Sequence, residues 1–132
     1  MTNRRHWLIV ASLDHARRGV EAGFVMANHG RRGPLARMST GDGVFIYSPK
    51  YTYPDGQPLR AITVIGRVTG DQPEPSDAIA GGFQLRADLR EIPRLGLDEI
   101  REHLPVSRIR FGFLELDPED AQAILAMEQS HA

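Results

Sequence analysis

The strict two-residue alternation from Phe83 to Arg90 constrains this chain more than any other feature. Phe83, Leu85, Ala87 and Leu89 point to one side, while Gln84, Arg86, Asp88 and Arg90 point to the other. That period predicts a strand with one dry face and one wet face. Arg60 to Thr69 is dense in β-branched residues, and the same period predicts that Ile62, Val64, Gly66 and Val68 share a face. Trp7–Ala11 is a short apolar run bounded by polar residues and reads as a buried central strand. Val44–Ser48 follows the turn Gly41-Asp42-Gly43 and is broken by Pro49. Arg108–Leu116 reads as a fifth strand whose apolar face switches near Gly112, which predicts a bulge there.

Helical spacing is sparser. Ala16, Val20 and Phe24 recur every four residues and predict a helix from about 13 to 22. Ser12 and Asp14 offer it N-caps, and Gly23 a left-handed stop. One helical turn is expected at Leu35–Met38. A helix carrying Leu97, Ile100 and Leu104 is stopped by Pro105, and a last one runs from Asp117-Pro118 to about Met127. Residues 70–82 read as a surface loop. The helices do not alternate regularly with the strands, which argues against a doubly wound sheet. The fold class expected is α+β, a small curved or barrel-like sheet with peripheral short helices.

At 132 residues the chain reads as one domain, 1–132, large enough to bury about two-thirds of its unfolded surface without covalent staples. The absence of cysteine excludes disulfides, thiolate zinc, iron–sulfur clusters and a cysteine nucleophile. The five histidines (6, 15, 29, 103, 131) are scattered, with no His-x-x-x-His pair, so no metal is expected. Gly30-Arg31-Arg32-Gly33 lacks the lysine–hydroxyl step of a phosphate loop, and no Gly-x-Ser-x-Gly elbow exists; no cofactor and no acyl-transfer site are expected. The apolar run after Arg5 is too short for a leader or a membrane span, and a cytoplasmic location is expected.

Net charge is −1, but unevenly spread. Residues 1–67 hold nine Arg and one Lys against four acids, net +6; residues 68–132 hold six Arg against thirteen acids, net −7. A basic half permits an anionic partner, although solvated acidic helices account for the asymmetry equally well. The basic half also gathers Trp7, Phe24, Tyr47, Tyr51 and Tyr53 beside Ser12, Asn28, His29 and Ser48. A planar heterocycle needs that mixture: a π-face worth about 1–3 kcal/mol per stacked base, and polar groups for its edge. The same residues also suit a tryptophan packed in the core and tyrosines packed over a loop.

Several short motifs stand in fixed order. They are Trp7-Leu8-Ile9-Val10-Ala11-Ser12, Asp14-His15, Arg18-Gly19-Val20, Gly23-Phe24, His29-Gly30, Pro34-Leu35, Arg37-Met38, Gly41-Asp42, Tyr47-Ser48-Pro49 and Ala61–Val68. Over residues 6–68 this resembles the EVE domain family, and the likeness thins to Arg110-Phe111-Gly112-Phe113 and the last helix. The resemblance implies a PUA-like curved pseudo-barrel of about five to six strands, similar to YTH domains. It further implies a non-catalytic reader of a modified nucleobase in DNA or RNA, with a partner nuclease or other defence protein as a possible associate. The ligand-binding set carried over is Trp7, Ser12, Phe24, Asn28, His29, Tyr47, Ser48 and Pro49. Trp7 or Phe24 would stack, while Ser12, Asn28, His29 and Ser48 would bond the base edge; Asp42 would hold a turn. The chain departs from the family pattern at Met26, where relatives often carry Gln, and at Pro105–Ile109, which lacks an aromatic.

Two other readings stand beside this one. An enzyme acting on a nucleotide or other small molecule would use Asp14, Asp42 or His29 as acid or base. A protein-interaction module would dock through its acidic last third. The reader assignment hangs on the lone indole as a wall of the cleft: an indole sealed in the interior, with no opening beside it large enough for a pyrimidine, would overturn it. The sequence leaves the oligomeric state open.

Overall fold

A computed structural model describes residues 4–130. Its strands are β1 (His6–Val10), β2 (Phe24–Val25), β3 (Gly43–Lys50), β4 (Pro58–Val68), β5 (Glu74–Pro75), β6 (Phe83–Gly96) and β7 (Phe113–Leu116). The helices are α1 (Leu13–Ala22), α2 (Arg32–Ala36), α3 (Leu97–Ile100) and α4 (Pro118–Ser130). All the strands join one curled half-barrel sheet in the order β2-β6-β4-β3-β1-β7, with β5 added on β6. This is the α+β architecture expected.

The pairing of β1 with β3 is parallel, whereas the other strand pairs are antiparallel. A parallel pair needs a crossover, because a tight hairpin cannot reverse the chain twice. Here α1, β2 and α2 form that crossover, which brings the segment after β2 back over the end of β1. Side-chain alternation divides the interior into two cores. Trp7, Ile9, Val44, Ile46 and Val64 face α1 and α2, meeting Ala16 and Leu35. Leu8, Phe45, Tyr47 and Ile65 face the other way, toward Ile100, Ala121 and Ile124 of α3 and α4.

Three expectations are corrected. Ile62 packs in the second core while Val64 and Val68 pack in the first. The register slips between Ile62 and Val64, so Thr63 is bulged and the strand's faces exchange there. Arg108–Leu116 is not a continuous strand. Val106–Phe111 winds as a 3-10 helix, and Gly112 ends it with φ of 78° and an N–H bond to the Ile109 carbonyl. The switch of apolar face near Gly112 therefore marks a change from helix to strand rather than a bulge. The segment 70–82 contains β5, paired with β6 at Glu74↔Gln84. No helix among the described residues is long and apolar enough to cross a membrane.

Candidate functional site

The crossover leaves a cavity of about 660 Å³ at the C-terminal end of β1. Ile9 and Ile46 supply apolar lining, and α1 contributes His15 and Arg18. Phe24, Met26, Asn28 and His29 line the side formed by β2 and the segment after it, while Pro49, Lys50 and Tyr53 line another. Ile79, Arg110 and Gly112 complete the rim.

Local geometry explains why these side chains meet. Asn28 and His29 both have left-handed backbones, with φ of 48° and 61°. The N–H groups of Gly30 and Arg31 both donate to the Ala27 carbonyl at 3.1 Å and close the turn. Asparagine tolerates that conformation better than most residues, and it turns the Asn28 amide toward Gly112. A Cβ on Gly112 would stand 2.2 Å from Asn28 Oδ1, and the φ of Gly112 disfavours one in any case. Tyr53 is 57% exposed and lies between two imidazoles, 5.8 Å from His15 and 5.7 Å from His29.

Electrostatics favour an anion. The lining includes Arg18, Lys50, Arg110, His15 and His29 but no carboxylate. Behind the rim, the Ser12 hydroxyl donates to Asp14. Burial pushes the Asp14 carboxyl up, but the Ser12 bond, the His15 backbone N–H and the charges of His15 and Arg18 outweigh it and hold it below its ordinary value.

Of the eight residues expected at a ligand site, Ser12, Phe24, Asn28, His29 and Pro49 line this cavity. The other three are corrected. Trp7 is wholly buried, its Nε1–H donates to Asp42 Oδ2 at 2.8 Å, and its ring is stacked on Phe113 at 5.0 Å and 13°. The Arg5 and Arg37 guanidiniums stand 4.7 and 5.2 Å from its centroid. The indole is thus sealed by the protein's own groups and borders no part of this cavity, so the reading that used it as the wall of the cleft falls, and of the two stacking candidates only Phe24 lines a cavity. Tyr47 is buried in the second core, where burial pushes its hydroxyl pKa up. Ser48 is buried and shares a 2.8 Å hydrogen bond with Thr63 Oγ1. Asp42 accepts bonds from Trp7 and from the Ser39 and Arg5 backbone N–H groups, so it holds a turn.

Sequence reasoning missed His15, Arg18 and Arg110 as lining residues, while Tyr53 stood in the aromatic set but not in the ligand-binding set. The three-residue spacing of His15 and Arg18 on one helix face was a usable signal. Nothing local marks Arg110, because its position depends on the 3-10 helix. Among the described residues no group of three or more His, Asp or Glu side chains could hold a metal ion.

A family model described as the EVE domain matches residues 5–127. A UPF0310 protein of Mycolicibacterium vanbaalenii is 39% identical over 135 residues, covering 94% of this chain and 90% of that one. Among solved structures, the YTH domain of Zygosaccharomyces rouxii MRB1 in complex with N6-methyladenosine RNA superposes with a TM-score of 0.69 at 10% identity. That match covers 97% of this chain and 86% of that one. Human THYN1 in complex with 5-methylcytosine-containing DNA gives a TM-score of 0.60 at 12% identity over 94% and 97% of the two chains. At such identities the likeness to solved structures shows the fold.

Proposed function

The chain belongs to the EVE domain family, and on that premise we propose that the cavity at the end of β1 receives a modified nucleobase of DNA or RNA without catalysing any reaction on it. The observation that carries this reading is the lining itself: an aromatic ring at Phe24, an amide at Asn28, and cations with no carboxylate among them. The volume of about 660 Å³ suits a nucleotide-sized ligand, since ligand sites run from about 300 to 1,000 Å³. Phe24 takes the stacking role, Asn28 reads the edge of the base, and the rim cations meet its phosphates. Two proteins of the same fold support the reading, as their structures hold 5-methylcytosine DNA and N6-methyladenosine RNA.

An acid–base enzyme has less to work with. Of the three candidate groups, Asp42 is engaged by Trp7 and Ser39, and Asp14 lies outside the cavity lining. Only His29 lines it, beside Tyr53 rather than a carboxylate. Extruding a base from a duplex costs a few kcal/mol, so binding is expected to be tightest to single strands and to weaken with salt.

The test is a low-salt titration of oligonucleotides with and without methylated cytosine, hydroxymethylated cytosine or N6-methyladenine. At least one modified probe is expected to bind tighter than its plain twin. Phe24→Ala should weaken that probe about tenfold to a hundredfold, the worth of one stacked base. Equal affinity for all probes, untouched by Phe24→Ala and Asn28→Ala, would overturn the reading.

A further inference from the structure

Beside the cavity runs a shallow groove of about 410 Å³, bordered by His29–Gly33 on one bank and Ile79–Phe83 on the other. It shares His29, Gly30 and Ile79 with the cavity, so the two adjoin. Backbone holds its banks together: the Phe83 N–H donates to the Gly30 carbonyl at 2.8 Å. Gly30 has a φ of 88°, and a Cβ on it would stand 3.2 Å from the Gly82 Cα, so a side chain there would be strained and would crowd the opposite bank.

Arg31 and Arg32 stand exposed on this groove. Five surface arginines are paired with a carboxylate: Arg5 with Glu115, Arg17 with Glu91, Arg86 with Glu74, Arg90 with Glu128 and Arg101 with Asp98. Among the described residues Arg31 and Arg32 have no such carboxylate, and none lines the groove. A contrast lies on the opposite face of the sheet, in a cavity of about 420 Å³. It gathers Arg4, Arg67 and Arg90, but Asp88 lines it too, and Arg90 is paired with Glu128.

We propose that the Arg31–Arg32 groove holds the phosphodiester backbone of the strand whose base enters the neighbouring cavity, a site that rests on the base-binding reading above. Guanidiniums without a paired carboxylate attract an anion, and their planar forks match phosphate oxygens in a bidentate way. Because the groove adjoins the cavity and neither lining holds a carboxylate, one strand could run from one to the other without crossing an acidic lining residue. Phosphate contacts position a strand, while base contacts specify it. The groove therefore supplies affinity and the cavity supplies preference.

The experiment measures binding of the full chain to a single-stranded 12-mer with one 5-methylcytosine, to its unmodified twin, and to a third probe whose flanking phosphodiesters are neutral methylphosphonates. Arg31→Gln with Arg32→Gln should weaken the first two probes by the same factor and lower the log–log salt slope by about 1.4, or 0.7 per lost contact. On the methylphosphonate probe the same variant should lose little more. Arg31→Lys with Arg32→Lys should restore the slope, and Arg67→Gln on the opposite face should leave it unchanged. An unchanged slope in the Gln variant, an equal fall in Arg67→Gln, or undiminished sensitivity with the methylphosphonate probe would overturn the proposal. Phe24→Ala and Asn28→Ala separate the two readings. If they change nothing while the arginine pattern holds, the groove stands and the base-binding reading falls. If they abolish preference while the slope stays fixed in the arginine variant, the groove falls alone.

Discussion

The two ends of β1 hold similar ingredients in opposite states. At its start Trp7 offers a large aromatic face with two guanidiniums above it, but Phe113 occupies the stacking position and Asp42 takes the indole N–H. At its end Phe24 and Tyr53 line a cavity together with Arg18, Lys50 and Arg110. One end is a stack that the chain completes for itself, and the other is a cavity lined by rings and cations. Aromatic and cationic content therefore does not mark a binding site. What matters is whether the chain supplies the second ring and the counter-charge.

Breaking the closed end should cost the most. Trp7→Ala removes a wholly buried ring and is expected to lower unfolding free energy by about 3–5 kcal/mol in urea titrations. Base preference of the protein that remains folded should be unchanged. A Trp7→Ala protein of near-native stability that has lost its preference would reverse the contrast drawn here.

Gly112→Ala sits where the two ends meet, since Gly112 precedes Phe113 and touches Asn28. A left-handed alanine costs about 1–2 kcal/mol, and its Cβ would displace the Asn28 side chain. Preference should fall to the level of Asn28→Ala, measured with the same oligonucleotides. Full retention of preference would show that the amide's position is unimportant.

The smallest effect is expected from Arg5→Gln. The hydrogen bond from Arg5 holds the Glu115 carboxyl below its ordinary value of 4.5, against the opposing pull of burial. A depressed carboxyl contributes stability at neutral pH that is lost as pH falls below about 4.5 and through the lower folded value. Arg5→Gln should therefore lower the urea midpoint slightly at pH 7 and by less as pH falls below about 4.5, and salt should shrink the difference because the pair is solvent-exposed. An equal loss across that pH range would mean that the guanidinium acts by packing on Trp7 instead.

Legibility in the sequence followed the range of the interactions. The alternation of Phe83–Arg90 and the four-residue spacing before Gly23 are local, and both predicted elements formed as β6 and α1. Failures came where a distant partner decides. Thr63 bulges and bonds Ser48, which sends Ile62 to the second core. The 3-10 helix before Gly112 delivers Arg110 to the cavity, and a five-residue apolar run cannot reveal that Phe113 will cover its tryptophan.

The amino-acid sequence determined by itself the long strand β6 and the helix α1, the absence of cysteine chemistry, and a basic half rich in rings and small polar groups. These are properties of neighbouring residues, set by backbone periodicity and side-chain type. Only the tertiary structure decided which ring is covered and which cations lack a counter-charge. Those outcomes depend on β7 returning from the far end of the chain to pair with β1, and on a parallel crossover that leaves one end of the strand uncapped.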